Sequence, residues 1–535
     1  MRYYRRTKLL ATAAVTLAAA GGVAAAADGS TTRSAARSLA SASTHKATSA
    51  AATGGTLSIA PQGPVQTFDP WVAPSGNNND LIWLDAVYDQ LLRLQANGKI
   101  VPSLAQTFDQ VNKHTIKMTL MKGVKFSDGT PVDARAVKAN FIYAQKQQSP
   151  GTCNAYIAGV TVQITGKLSF TLHLQQPNAD ILTEIATCAG FVVNPKALSN
   201  PSSLTAAPNG SGPYTYEQNQ TVPNSKWIFV KKPHYWDSSL YPFKTLSVNY
   251  IPNSTAASNA ARAGQINFIF IVAPNDTSSG LTLFRSKPDQ LRGLAIADLN
   301  GATVKPLGNR LVREAMNYAI NRKAILQSIF NGKGVVDGCS CSWNTSMPGY
   351  STKLMNYYTY DPAKARQLMA QAGYSNGFSF TAMDSPSDQN QALLQAISGY
   401  LSKIGIQMTV SPNMTTFIPT MLSGKSPAFY ENWTITPFAY YNADGTFGPT
   451  AFWNPLHVTN PTITADLKAD LVAFAPAARN KAYAKTAFDF AKAAWYVSPV
   501  NVDTTSAYNS KEISLHEVAG AASPFLFNFQ VPKKK

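Results

Sequence analysis

The chain has 535 residues, of which 45% are hydrophobic, and its formal net charge is +18 at pH 7. A chain of this length is too long to fold around one hydrophobic core. The length therefore excludes a single small domain and predicts two or three domains. The basic residues are dispersed instead of gathered on one face, which argues against nucleic-acid binding and favours a diffuse positive field beside an anionic cell envelope.

The first predicted element is a secretory signal peptide over residues 1–27. The opening "MRYYRRTK" carries four positive charges and no acid, and a weakly apolar run follows, with small residues at Ala25 and Ala27. This order is typical of an export signal, and we expect cleavage near Ala27. The pair Arg5 and Arg6 hints at twin-arginine export, and the route stays open. An uncleaved membrane anchor is the alternative, and no cysteine follows that would carry a lipoprotein anchor.

Residues 28–54 are predicted to form a flexible leader. The segment consists largely of Ser, Thr and Ala and has almost nothing to bury. Such a composition does not offset the entropy lost on ordering the chain. We therefore expect the folded part to begin near Gly55.

Helices and strands alternate through the first half of the folded part. "GGTLSIAPQ" and "TIKMTL" predict strands, "NDLIWLDAVYDQLLRL" predicts a helix, and Asp128-Gly129 is a strong turn pair. Asp133 is a predicted N-cap for the helix in "DARAVKANFIYAQ". The apolar positions of that helix are Ala136, Val137, Phe141 and Ile142.

Two further helical segments are predicted in the second half. "LVREAMNYAINRKAILQSIFNGKG" contains two helices, and Asn321 caps the second of them. In "DPAKARQLMAQAGY", Asp361 caps the helix, Pro362 takes its first position and Gly373 ends it. The alternation of helices and strands along the chain predicts an α/β fold.

Four cysteines in an exported chain predict disulfides. Cys153 and Cys188 flank a run of β-type segments and can close one bridge within a domain. Cys339 and Cys341 form a Cys-x-Cys pair, which either bonds in a tight ring or stays reduced. The six histidines are scattered without ligand spacing, so we expect no metal site and no cofactor.

Catalytic sequence signatures are absent from the chain. It contains no Walker loop, no HExxH motif and no GxSxG elbow. The segment "GKGVVDG" at residues 332–338 has the wrong glycine spacing for a dinucleotide loop. Because catalytic groups are defined in space, a secreted hydrolase of unrecognised type remains the alternative to a binding protein.

Several segments in order resemble the family 5 solute-binding proteins of ABC importers, the oligopeptide-, dipeptide- and nickel-binding group. The resemblance runs from about Gly55 to about Phe529. Its landmarks are "TFDPW", "AVYDQLLRLQANGKIVPSLAQTF", "LMKGVKFSDGTPVDARAVKANF", "GSGPYTY", "KKPHYWDSSLYPFKTLSVNYIPNSTAASNAARAGQINF", "RLVREAMNYAINRKAI" and "DPAKARQLMAQAGYSNGFSF". Each landmark alone is weak, but seven in order are highly specific.

The resemblance implies two α/β lobes that close on a ligand at a hinge, as in periplasmic binding proteins of the large class. The first lobe is then discontinuous, and the chain crosses to the second lobe near Asn300 and returns near Pro499. The implied limits are 55–80, 205–300 and 497–530 for lobe 1, 81–204 for a domain added to lobe 1, and 301–496 for lobe 2.

An aromatic loop after Trp433, broken by Gly and Pro, is the predicted wall of the binding pocket, with a buried loop that packs the core as the alternative. The family uses this region for its cleft, where an acid often pairs with the amino group of a bound peptide. Here Asp444 either anchors a ligand ammonium or only shapes a turn with Gly445. The resemblance implies these ligand-binding residues: Trp433, Asp444, Tyr440, Tyr441, Asn442, Phe68 and Trp71.

The implied function is that of an exported, monomeric, non-catalytic protein. It would capture a peptide-like small solute and hand it to a membrane permease of an ABC transporter, without nucleic acid as a partner. A chaperone-like or sensor protein that lacks a transporter would share this sequence pattern. The ligand itself is not readable from the sequence.

Overall fold

A computed structural model of the chain describes residues 55–72, 78–95, 98–147, 153–270, 272, 280–286, 288–384, 388–412, 416–435, 439–449, 451, 453–516 and 524–532. The predicted signal peptide and leader, residues 1–54, lie outside these ranges. Among the helices described, none combines the length and the apolar composition needed to span a membrane.

The secondary structure confirms the alternation of helices and strands that the sequence predicts. The strands are β1 (Thr56–Ala60), β2 (Leu92–Leu94), β3 (Ile100–Pro102), β4 (Ala105–Asn112), β5 (Thr115–Leu120), β6 (Val160–Ile164), β7 (Ser169–Leu174), β8 (Tyr214–Tyr216), β9 (Lys226–Lys231), β10 (Thr245–Asn249), β11 (Phe268–Ile269), β12 (Thr282–Arg285), β13 (Gln290–Ile296), β14 (Val335–Val336), β15 (Phe378–Asp384), β16 (Ile406–Pro412), β17 (Ala428–Thr434), β18 (Tyr496–Val502), β19 (Thr505–Tyr508), β20 (Ser514–Leu515) and β21 (Phe529–Gln530).

Helices connect most of these strands. The α-helices are α1 (Asn78–Val87), α2 (Ala134–Ala144), α3 (Ile181–Ile185), α4 (Pro195–Leu198), α5 (Ser254–Arg262), α6 (Arg310–Tyr318), α7 (Arg322–Phe330), α8 (Thr352–Met355), α9 (Pro362–Gln371), α10 (Asp388–Ser402), α11 (Phe417–Leu422), α12 (Ala439–Phe447), α13 (Pro461–Leu471) and α14 (Pro476–Ala493). Short 3-10 helices include Cys153–Ile157, Pro201–Thr205, Gln218–Gln220, Ser238–Leu240, Lys305–Gly308 and Leu526–Asn528.

A seven-stranded mixed sheet joins the beginning of the folded chain to its end. Its strand order is β12-β19-β11-β1-β10-β9-β8. The strand β1 pairs in parallel with β10 and β11, and α5 makes the crossover between those two strands. In β1, Leu57 and Ile59 alternate with less buried neighbours and are fully enclosed, as the period of a strand requires.

An antiparallel four-stranded sheet lies between β3 and β8 in the sequence. Its strand order is β4-β5-β7-β6, and α2 packs against β6. The alternation in "TIKMTL" turns Ile116, Met118 and Leu120 inward, as predicted. These side chains share one hydrophobic core with Leu57 and Phe229 of the seven-stranded sheet, so the two sheets are built around common buried surface.

A six-stranded sheet has a separate hydrophobic core. Its strand order is β14-β18-β13-β17-β15-β16. The core around it includes Leu294 and Phe429 from the sheet and Val312 and Phe490 from the helices α6 and α14. Two cores in one chain of this length agree with the limit that surface-to-volume scaling sets on a single core.

Local capping signals identify the helix starts correctly. The side chains of Asp133, Asn321 and Asp361 accept hydrogen bonds from main-chain N–H groups of the first helical turn, at distances between 2.8 and 3.1 Å. Gly373 follows α9 with a φ of 82°, a conformation that favours glycine. The prediction for Ile142 as an inward apolar position is wrong, because its side chain is 47% exposed on the outer face of α2.

The chain passes between the seven- and six-stranded sheets twice. We expected crossings near Asn300 and Pro499, but the strands β13 and β18 both hydrogen-bond within the six-stranded sheet. The crossings therefore lie at residues 286–289 and 503–504, directly before β13 and directly after β18. The remaining limits of the lobes and of the added domain stay a prediction.

Both cysteine pairs are bonded in the structure. The Cα atoms of Cys153 and Cys188 are 5.6 Å apart, and their bond ties the 3-10 turn at residues 153–157 to the chain after α3. Cys339 and Cys341, which the sequence left open, form a fully buried ring with Cα atoms 5.1 Å apart. The intervening Ser340 has a φ of 49°, and its hydroxyl donates to the carbonyl of Ser498 in β18.

Loss of the first disulfide should lower stability. Cys153→Ser should reduce the free energy of unfolding by about 2–4 kcal/mol, because the bond closes a loop with a sequence separation of 35 residues. Urea unfolding measures the change, and Cys188→Ser is the matched control because it removes the same bond. Peptide mapping without reduction that finds Cys153 as a free thiol in exported protein would contradict the pairing.

Candidate functional site

The two crossings leave the seven-stranded sheet at the carboxyl ends of its parallel strands. The strands β1, β10 and β11 end at Ala60, Asn249 and Ile269. Because β19 runs antiparallel to β11, its first residue lies beside the end of β11, and the N–H of Val272 donates to the carbonyl of Thr505 at 3.1 Å. In open α/β sheets, ligands bind outside the carboxyl edge.

A cavity opens at this same carboxyl edge. Its volume is about 160 Å³, and it lies where β1 and β10 end and α5 begins. The lining residues are Ala60, Pro61, Gln62, Ile251, Pro252, Ser254, Ala257 and Ile269. The cavity has room for a small chemical group at this edge.

The aromatic segment begins at the edge of the six-stranded sheet that faces these crossings. The strand β13 starts at this edge with Gln290, which pairs with Val502 at the end of β18 and with Thr434 at the end of β17. The residues that follow β17 therefore emerge between the two sheets. This topology brings the predicted pocket segment to the interface of the lobes.

Trp433 lies on β17 and is 8% exposed. Its ring meets that of Trp453 edge to face at 5.7 Å, and Trp453 stacks on Phe429 at 6.2 Å. The side chain belongs to the second hydrophobic core, on the side that ends at the crossing edge. Its role in ligand binding stays a prediction.

The segment after Trp433 contains a helix, α12, where the sequence pointed to a loop. Asp444 and Gly445 therefore form no isolated turn, and the N–H of Gly448 donates to the carbonyl of Asp444 at 2.7 Å, as in a helix. The prediction of a loop failed because Gly445, a poor helix former, is tolerated where Ala439 and Ala443 bury a helical face.

The predicted polar residues of α12 differ in their surroundings. Asn442 is fully buried, and its amide donates to the sulfur of Met347 at 3.5 Å. Tyr440 and Asp444 are partly buried, and burial raises the pKa of Asp444 to about 6. The side chain of Tyr441 lies outside the described residues. Asp444 therefore holds its proton to a higher pH than an exposed carboxyl group does.

Phe68 and Trp71, also predicted to bind the ligand, lie in the first hydrophobic core. The ring of Phe68 packs against Tyr216 at 5.0 Å, and its side chain is 1% exposed. Trp71 is fully buried, and its indole N–H donates to Asn140 at 3.4 Å. Both side chains belong to the first core, whereas Trp433 belongs to the second, and their ligand roles stay predictions.

A contact between α3 and α14 connects distant parts of the chain, and the sequence analysis missed it. Asp180, at the start of α3, accepts hydrogen bonds from Arg479 and from the hydroxyl of Tyr483, the latter at 3.0 Å. Beside it, the N–H of Ala179 donates to the carbonyl of Leu471 at 2.8 Å. The partners are 299 residues apart, so no local pattern signals the contact.

Acidic groups gather near this contact. Burial raises the pKa of Glu184 well above its usual value, and the negative charges of Asp180 and Asp444 raise it further. The carboxylate of Glu184 accepts a hydrogen bond from Asn178 at 2.8 Å. The charge of Asp444 therefore reaches Glu184, and the raised pKa of Glu184 favours its protonated form.

The described ranges contain no group of three or more His, Cys, Asp or Glu side chains that could hold a metal ion.

The sequence matches a known protein family over residues 99–453. That family is described as "Bacterial extracellular solute-binding proteins, family 5 Middle". Among curated proteins, the glutathione-binding protein GsiB of Salmonella paratyphi A is 27% identical over 424 residues, which covers 74% of this chain and 79% of the relative.

Solved structures with the same fold match most of this chain and almost the whole of their own chains. The periplasmic binding protein DppA from Helicobacter pylori, in complex with the peptide STSA, superposes with a TM-score of 0.75 at 20% identity, covering 90% of this chain and 99% of that one. The dipeptide-binding protein from Pseudoalteromonas sp. SM9913, in complex with Met-Leu, gives a TM-score of 0.73 at 18% identity, covering 90% and 100%. The predicted two-lobed α/β fold is confirmed.

Removal of the charge on Asp180 should weaken the contact between α3 and α14. Asp180→Asn should lower the free energy of unfolding by about 1–3 kcal/mol, because Arg479 loses the charge it pairs with in a mostly buried setting. Urea unfolding of Asp180→Asn, Arg479→Gln and the double variant measures the coupling.

The control for this cycle is an exposed ion pair. Lys196 is 74% exposed where it pairs with Asp128, so Lys196→Gln should change the free energy of unfolding by less than about 1 kcal/mol. If the double variant loses the sum of the two single losses in the free energy of unfolding, Asp180 and Arg479 are not coupled.

Proposed function

The chain belongs to the bacterial extracellular solute-binding proteins of family 5, and on that premise we propose that it captures a small peptide or peptide-like solute for an ABC importer. In this proposal the solute is enclosed between the two lobes and delivered to a membrane permease. The protein acts as an exported monomer and catalyses no reaction.

One observation carries the proposal. Both crossings join the carboxyl edge of the seven-stranded sheet to the edge of the six-stranded sheet at which the aromatic segment begins. A solute at this place touches both sheets, so its binding energy favours the arrangement in which the lobes are close together. Two short crossings suit such a motion, since few residues need to change conformation.

The relatives support a peptide-like solute. GsiB is named for glutathione, and the two solved structures hold the peptides STSA and Met-Leu. Within the proposed site, Asp444 is the candidate partner for an amino group, and it lies close enough to Glu184 for its negative charge to raise the pKa of that carboxyl group. Trp433, Tyr440, Tyr441 and Asn442 are proposed to line the wall, and Phe68 and Trp71 are kept as more distant candidates.

The alternative of a secreted hydrolase has less support. The family and the relatives named above are binding proteins. A direct test incubates the purified protein with glutathione, trialanine and Met-Leu. Reversible binding raises the melting temperature and leaves the solute intact, whereas a hydrolase makes product. Mass spectrometry of solute that co-purifies with the native protein identifies the physiological ligand class.

The substitution Trp433→Ala should weaken solute binding by tens-fold or more, or about 2 kcal/mol, because a large rigid aromatic surface is removed. Titration calorimetry on the folded fraction measures the affinity. Trp227→Ala is the matched control, since Trp227 is similarly buried (6% exposed) but lies on β9 of the other sheet. If Trp433→Ala binds the solute as wild type does, Trp433 packs in the core and does not contact the solute.

The charge of Asp444 is tested separately. Asp444→Asn should weaken the binding of trialanine but not that of N-acetyl-trialanine, which has no ammonium group. For the same reason, wild-type affinity for trialanine should fall as the pH drops through about 6, where Asp444 becomes protonated, and Asp444→Asn should lack this fall. Equal affinities of Asp444→Asn and wild type for trialanine would show that Asp444 anchors no amine.

A further inference from the structure

Two buried oxygen atoms beside the crossings have no hydrogen-bond donor. They are Oδ2 of Asp289 and Oδ1 of Asn501, and we call them the crossing acceptors. Their side chains are 1% and 0% exposed, and in the part of the chain that the structure describes neither atom has a partner. An unpaired buried acceptor costs free energy, so each such atom calls for an explanation.

The other groups of Asp289 are fully engaged. Its Oδ1 accepts from the hydroxyls of Ser286 at 3.0 Å and Thr504 at 3.4 Å, one on each crossing. Its N–H donates to Val502, and its carbonyl accepts from the N–H of Ile435, which follows Trp433 by two residues. The carboxyl group is thus held in place, with one oxygen left over.

The amide of Asn501 is oriented by its neighbour. Its nitrogen donates to the carbonyl of Trp343 at 3.4 Å, and a carbonyl can only accept. The oxygen of the amide must therefore point the other way, where none of the described residues donates to it. The unpaired oxygen of Asn501 is therefore a second observation, which does not depend on the hydrogen bonds of Asp289.

Both acceptors share a sheet face with the aromatic segment. Leu291 pairs with Trp433 on one neighbouring strand and with Asn501 on the other, so these three side chains lie on the same face. Asp289 precedes Leu291 by two residues, and its main chain still hydrogen-bonds to both neighbouring strands' ends. Its side chain therefore lies on that face as well. The face therefore carries an aromatic surface and two unused acceptors at the edge between the lobes.

We propose that the crossing acceptors receive N–H groups of the captured solute, either an ammonium group or peptide amides. The inference rests on the proposed function and adds the chemistry that the site selects. A solute bound there is linked through Asp289 to Ser286 and Thr504, so it contacts both crossings through one side chain. Solutes that offer only acceptors in this position would leave the oxygens unpaired and would bind weakly.

The decisive variant is Asp289→Asn. The amide keeps one oxygen for Ser286 and Thr504, and it replaces the unpaired oxygen with a donor that repels an N–H group. Titration calorimetry with glutathione and with trialanine is carried out at about pH 7.5, because burial raises the pKa of Asp289 to about 7, whereas the α-amino group of a peptide has a pKa of about 7.7–8.0, so the carboxylate and the ammonium group are both mostly charged. We expect affinity to fall at least about ten-fold while the melting temperature stays near that of wild type.

Two further variants make the result specific. Asn501→Leu removes the second acceptor with little change in volume, and it should also weaken binding. Glu431→Gln is the matched control: Glu431 is a fully buried carboxyl with two unpaired oxygens on the same sheet, but it lies opposite Gly293, away from the crossing edge. This variant should bind as wild type does.

The outcomes separate the two proposals. Loss of affinity in Asp289→Asn for trialanine but not for N-acetyl-trialanine identifies an ammonium group, and loss for both identifies amides. Wild-type affinity in both Asp289→Asn and Asn501→Leu overturns the inference alone, as does an equal loss in Glu431→Gln. If wild-type protein binds none of these probes, the proposed peptide-like ligand is wrong, and the inference falls with it.

Discussion

The double crossing between the two large sheets is the constraint on which the architecture depends. At residues 286–289 and 503–504 the chain leaves one hydrophobic core and enters the other, and Ser286, Asp289 and Thr504 hydrogen-bond the two passages to each other. Since both passages attach at the same edge of each sheet, that edge is where the lobes must meet. The carboxyl ends of the parallel strands and the start of the aromatic segment lie there for the same reason.

Local sequence signals predicted much of the fold. The caps at Asp133, Asn321 and Asp361 depend on hydrogen bonds within a few residues, and the strands of "TLSIA" and "TIKMTL" follow from alternation. The helix α12 was missed because tertiary packing compensates for its glycine. The helix propensities of single residues carry no information about such packing. The inward position assigned to Ile142 was wrong because a narrower face of α2 is buried.

The candidate site was less predictable than the fold. The resemblance located the segment after Trp433, and the topology brings that segment to the interface of the lobes. The contact of Asp180 with Arg479 and Tyr483 joins residues about 300 positions apart, and only a folded chain reveals it. The enclosed positions of Phe68 and Trp71 likewise depend on distant partners such as Tyr216 and Asn140.

The position of β19 has a consequence for the order of folding. This strand comes from residues 505–508, close to the chain's end, yet it lies between β12 and β11 in the first sheet. The second core is built almost entirely from residues 291–502, so it can form while the last residues are still being synthesised or translocated. Until β19 arrives, β12 has no partner and β11 presents a bare edge to other unfinished chains. A strand that emerges only after the whole second core is therefore the one that protects the first sheet from aggregation.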